Sequence, residues 1–253
     1  MRVFFYAAAV VLGGLLVFLF AGHRVARIPR EQAVMELLHT RAAVEQALAG
    51  RGAALTRRLR AFAEQVAGDR DFAMKLIVEQ DRTAPEVTEF ARRYMAAMDL
   101  GLLEIADSAS VLLSCGHFPA AAGNSVASKA AALDSQAVFL LDTIRGEEVL
   151  TLQARVTATL GDSTRTGCQG GWVVDQAFLD GLTPPPGVRV MLRAGSHSIG
   201  LNSISSMSAI TGNTMIINDT TYLATALLLA FHGEEDPPAL LLVSPMPQRL
   251  SLF

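Results

Sequence analysis

Leu102-Leu103-Glu104-Ile105-Ala106-Asp107-Ser108-Ala109-Ser110-Val111-Leu112-Leu113-Ser114-Cys115 is the stretch on which the fold turns. It holds two short β-like runs, 102–106 and 111–115, on either side of a small polar turn. Gly101, just before it, marks a change of texture. Upstream the hydrophobic period is helical, and downstream short β-like runs recur at 137–144, 149–160 and 170–174. Arg145-Gly146-Glu147 and Gly161-Asp162-Ser163 are turn-rich breaks at hairpin spacing. The Gly/Ala/Ser-rich segment 120–133 reads as a loop with a short helix, and 175–182 as a short helix.

Thr183-Pro184-Pro185-Pro186-Gly187 is the clearest boundary in the chain, a stiff extended linker. Beyond it lie β-like runs at 188–192, 214–217, 221–231 and 239–243. The apolar run 222–231 is only about ten residues long, too short for a helix to cross a bilayer, and reads as a buried strand.

Working back from Gly101, 85–98 and 71–80 read as helices, with Thr83 a candidate cap and Pro85 a suitable first-turn residue. Residues 28–66 form a longer helix. Val44, Leu48, Leu55, Leu59, Phe62 and Val66 recur on one stripe, while Gly50 and Gly52 each weaken it by about 1 kcal/mol relative to alanine. A narrow stripe needs a partner, either the rest of the chain or the same helix of a second copy.

The chain has 253 residues, 51% of them hydrophobic, and a mean hydropathy of +0.35. Much of that excess lies between Val3 and Ala21, where no residue is charged. As a helix this run spans roughly 28 Å, close to the hydrocarbon thickness of a bilayer. Its length, and the bulky Phe18, Leu19 and Phe20 before Gly22, favour a membrane anchor over a cleaved signal peptide. Arg24, Arg27 and Arg30 after the run would hold the body in the cytoplasm by positive-inside counting.

Residues 24–100 carry 13 Lys/Arg against 11 Asp/Glu, and residues 101–253 carry 7 against 13. Neither half shows a basic stripe with interleaved aromatics, so nucleic acid is not an expected partner. The two cysteines, Cys115 and Cys168, are too few for a disulfide scaffold; they read as one bridge in an oxidising compartment or as two small buried residues. The five histidines show no metal-ligand spacing, and no cofactor is expected. Gly123-Asn124-Ser125-Val126-Ala127 lacks the second glycine of a nucleophile elbow, and no phosphate-binding glycine loop is present, so the chain does not read as an enzyme.

This order of parts resembles the periplasmic Cache-type, PAS-like input regions of bacterial sensor histidine kinases and chemoreceptors. Residues 103–114 look like that family's first hairpin, in which an Asp after the strand caps a tight turn. Gly170-Gly171-Trp172-Val173-Val174-Asp175-Gln176-Ala177-Phe178-Leu179 looks like its last strand running into the exit helix. Ser110 stands where the family's turn often carries Gly. The resemblance implies an α+β chain: a transmembrane anchor at 1–22, a helical stalk at 23–100, a PAS-like antiparallel sheet domain at 101–183, and a small membrane-proximal β-rich module at 184–253. The last is short for the second half of a double Cache region. It also implies a body outside the cytoplasmic membrane, against the arginine count, and a second span with a signalling part after Phe253.

In such folds a pocket lies between the sheet and a neighbouring helix or loop. Here it would draw on Arg93, Tyr94, His117, Asp142, Arg155, Trp172 and Asp175. Several have ordinary roles as well: Arg93 on a solvated helix face, Trp172 in the core, Asp175 as an N-cap and His117 as a structural residue. The function implied is small-molecule sensing by the input region of a membrane receptor, foremost a sensor histidine kinase, working as a homodimer through the long helix. A membrane-anchored envelope scaffold that binds another protein is the alternative.

Overall fold

Helix α1, Arg2–Gly68, runs unbroken through both the apolar N-terminal stretch and the striped region. The computed structural model describes residues 2–133, 136–144, 146–161, 163–194, 197–200, 210–231 and 237–246; of residues 2–30, 194, 197 and 198 it describes the backbone alone. No helix among the described residues is long and apolar enough to cross a membrane. The anchor expected over 1–22 falls where side chains are not described.

The stripe of α1 is buried. Leu55, Leu59 and Val66 are fully covered, as are Val44 and Phe62 to within 1%. The cover is the chain itself, because α1 packs along strands of both of its sheets. Fully burying each leucine contributes about 1.5–3 kcal/mol. Of the two partners the sequence leaves open, the rest of the chain takes this face, so a homodimer through these six positions is excluded by their burial.

After α1, Asp69 caps α2 (Arg70–Ala73), accepting from the Phe72 N–H at 2.8 Å, and a π-helical turn Met74–Val78 follows. Thr83 is not a cap. Its hydroxyl donates to Asp81 Oδ1 at 2.7 Å, and α3 (Pro85–Thr88) starts behind Ala84 with Pro85 in its first turn. A break at Glu89 separates α3 from α4 (Phe90–Met95), so the helix expected over 85–98 is two.

The first sheet has five antiparallel strands: β1 (Leu102–Ala106), β2 (Leu112–Cys115), β3 (Val138–Ile144), β4 (Glu147–Leu160) and β5 (Thr164–Val173), in the order β2-β1-β5-β4-β3. The segment between β2 and β3 carries α5 (Ala127–Ala132), and β5 leads into α6 (Gln176–Asp180). Strand β5 begins six residues earlier than the sequence suggests, because Thr164-Arg165-Thr166-Gly167-Cys168-Gln169 reads as polar while pairing with both β1 and β4.

The second sheet comprises β6 (Arg189–Ala194), β7 (His197–Ile199), β8 (Thr214–Ile217), β9 (Thr220–Leu228) and β10 (Ala239–Pro245), ordered β7-β6-β10-β9-β8. Numbered from each sheet's own first strand, both read 2-1-5-4-3. The stretch expected to hold a small β-rich module thus repeats the topology of the first sheet without repeating its sequence. Phe139 at the start of β3 bridges to Phe231, and its N–H donates to Ala230 O at 2.9 Å, tying the two sheets together.

Candidate functional site

The two faces of the first sheet differ in chemistry. Alternation along the strands sends Leu103, Ile105, Leu152 and Cys168 into the core that α1 covers. The opposite face presents Glu104 from β1, Cys115 from β2, Gln169 from β5, Thr151, Gln153 and Arg155 from β4, and Asp142 from β3. The β2–β3 segment folds over this polar face, bringing His117 and Lys129.

Lys129 is the hub. Its ammonium donates to Glu104 Oε2 at 2.9 Å and to Asp142 Oδ2 at 2.6 Å. Gln169 Nε2 donates to the same Glu104 oxygen at 2.5 Å, and Gln153 Nε2 donates to Asp142 Oδ2 at 2.7 Å and to Thr151 Oγ1 at 2.8 Å. Burial works against the charge on Lys129, but the two carboxylates outweigh it and raise its pKa. His117 Nε2 lies 3.6 Å from Glu104 Oε1; burial holds its pKa below the ordinary value, against the pull of Glu104. Burial, reinforced by Glu104, pushes the Cys115 thiol up to about 12.

Glu104, Gln153 and Gln169 are each 3% exposed or less. The oxygens Gln153 Oε1 and Gln169 Oε1 are buried and accept no hydrogen bond from the described residues. Unpaired buried acceptors are costly. Beside the cluster lies a cavity of about 920 Å³, walled by Gly116, His117 and Pro119, by Arg92 and Met95 of α4, and by Ile144, Val149 and Val173 of the sheet. His117 belongs to both the cavity wall and the cluster.

No family model matches this sequence, and no curated protein matches it. Solved structures do. The sensor domain of the V. cholerae histidine kinase DctB superposes with a TM-score of 0.52 at 8% identity, covering 88% of this chain and 99% of that domain. The fold is that of the DctB sensor domain. The periplasmic domain of V. cholerae LuxQ (TM-score 0.49, 13% identity, 82% of this chain and 97% of that one) is similar as well. So is the sensory domain of the Campylobacter jejuni chemoreceptor Tlp3 with isoleucine bound (0.47, 9%, 89% and 96%). The resemblance read from the sequence holds at the level of the fold.

Within this sensor fold the seven residues singled out from the sequence part company. His117, Asp142 and Arg155 lie on or over the polar face. Tyr94 stacks on Phe90 at 4.9 Å between ring centroids and packs near Phe62, on the α1 side of the sheet. Arg93 is exposed, lying over the Phe90 ring and donating to Glu86 O. Trp172 donates its indole N–H to Asp99 O at 2.8 Å beneath Arg58. Asp175 accepts from the Phe178 N–H at 2.8 Å and so caps α6. These four stand apart from the cluster.

Cys115 and Cys168 are both free and buried. A bridge between them is ruled out by the pleat: Cys115 pairs with Glu104 on the polar face, and Cys168 pairs with Ile105 on the other. The residues that sequence reading missed are Glu104, Lys129, Gln153 and Gln169. Glu104 interrupts an otherwise apolar β1, Gln153 alternates with Leu152 and Ala154 on β4, Gln169 follows Cys168 on β5, and Lys129 is the lone cation in an alanine-rich turn of helix. That polar alternation was the available signal.

Proposed function

We propose that this chain is the extracytoplasmic input region of a membrane receptor, foremost a sensor histidine kinase, and that it binds a small polar molecule in the cavity between the first sheet and the β2–β3 segment. One observation carries this reading: a cavity of about 920 Å³ backed by a buried polar face with unsatisfied acceptors, on a sensor-domain fold. The polar side chains on the cavity wall, Arg92, His117 and Glu147, favour a ligand that both donates and accepts hydrogen bonds, such as an amino acid. In this reading Val3–Ala21 anchors the chain in the cytoplasmic membrane with the body outside it, and α1 is the part that moves. The ligand shifts α1 only by its differential affinity for two arrangements of the β2–β3 cover.

The test is a thermal-shift screen of the full chain in detergent, with a metal chelator present, against amines, amino acids and carboxylates. One chemical class raises Tm, by about 2.7 kcal/mol of stabilisation at a hundredfold excess over Kd. Val149→Trp, which crowds the cavity from the strand position opposite Asp142, abolishes the shift. A flat response across all classes overturns the proposal and sides with an envelope scaffold, and a shift that survives Val149→Trp places the ligand elsewhere.

A further inference from the structure

Three donor atoms of different chemistry converge beside the cavity. Cys115 Sγ lies 3.9 Å from Glu104 Oε1 and 3.7 Å from His117 Nε2, and His117 Nε2 lies 3.6 Å from Glu104 Oε1. A tetrahedral zinc ion with ordinary bonds of about 2.0–2.3 Å holds such donors at edges of roughly 3.3–3.6 Å. The three separations therefore exceed those edges by a few tenths of an ångström, closable by small torsions of three side chains. Each donor comes from a different support: Glu104 from β1, Cys115 from β2 and His117 from the segment that leaves β2.

The surroundings orient the carboxylate. Its other oxygen, Oε2, is held by Lys129 at 2.9 Å and Gln169 at 2.5 Å, which leaves Oε1 turned toward Cys115 and His117. Hydrogen bonds of this kind fix a carboxylate ligand for a metal. His117 also lines the cavity, which gives an ion its entry path. We infer that Glu104, Cys115 and His117 form a site for a zinc-like divalent ion with one open coordination position. Binding replaces the thiol proton of Cys115, which passes to water, with a metal–sulfur bond; nothing is oxidised or reduced.

Cobalt(II) is the probe, titrated into the full chain in detergent after chelator treatment and desalting. The expected result is one equivalent bound, with a thiolate-to-cobalt charge-transfer band in the near ultraviolet and intense tetrahedral bands in the visible, both bleached by zinc. Cys115→Ala loses the charge-transfer band and Cys168→Ala retains it. Circular dichroism checks that each variant folds; where Cys115→Ala does not, His117→Ala serves, and it lowers cobalt affinity at least tenfold. Absence of the charge-transfer band, or its survival in Cys115→Ala, overturns the site. Because the small-molecule screen is run in chelator, failure of this site and failure of the ligand reading are distinguishable.

Discussion

Ser110 shows how a single residue records the design of the first hairpin. Its backbone sits at φ 60, in the left-handed region that favours glycine. Asp107 stabilises the turn from within, its Oδ1 accepting from the N–H groups of Ala109 and Val111, each at 2.9 Å. Arg82 pairs with the other carboxylate oxygen at 2.7 Å. The departure from Gly is therefore tolerated rather than repaired, since those bonds hold the turn whatever stands at 110. Ser110→Gly relieves the left-handed strain, and urea unfolding should show a gain of about 0.5–1 kcal/mol with an unchanged m value. The same turn was legible in the sequence because its determinants are local. The site was not. Glu104 and Gln169 lie 65 positions apart and meet only through the β1–β5 register, which no local pattern specifies. Cys115 and His117 are neighbours in sequence, but they acquire a third partner only when Glu104 arrives across the β1–β2 pair.

Among the elements, β1 and β8 have the bounds that their apolar runs suggest, whereas β7, three residues long, leaves no periodic trace in sequence. Helix α1 was legible as a helix, but the owner of its stripe was not. That depends on whether the sheets close over it, a tertiary outcome. Two glycines in α1 separate propensity from packing. A side chain at Gly50 would meet nothing, while one at Gly52 would come within 3.1 Å of Ala137 Cβ, where the chain enters β3. Gly50→Ala should therefore stabilise the chain by about 1 kcal/mol, raising Tm by about 2–4 °C. Gly52→Ala should gain nothing or lose, because the propensity term is offset by displacing Ala137. Equal gains from both variants would show that α1 does not approach the sheet this closely. Gly170 has the same role on the facing strand, where a side chain would come within 3.1 Å of Leu59.

At the scale of the whole molecule, the argument concerns what α1 can still do once its stripe is spent. Two sheets of the same strand order lie along one helix and bury Val44 through Val66 between them. A homodimer through α1 must therefore use the outer face, and that face has its own pattern. Met35 is 56% exposed and Leu38 41%, and Ala42, Ala49 and Ala53 continue the exposed surface along the helix. The proposal of pairing through the long helix survives only in this form, and a cysteine scan of the full chain in membranes decides it. In a background lacking Cys115 and Cys168, Leu38→Cys and Ala42→Cys should crosslink to a dimer under mild oxidation, and Leu55→Cys, buried against the chain's own sheet, should not. Crosslinking at position 55 would mean that the helix opens from its sheets in the membrane. No crosslinking at 38 or 42 would leave α1 a monomeric spine, and a ligand signal would then have to pass along one helix rather than between two.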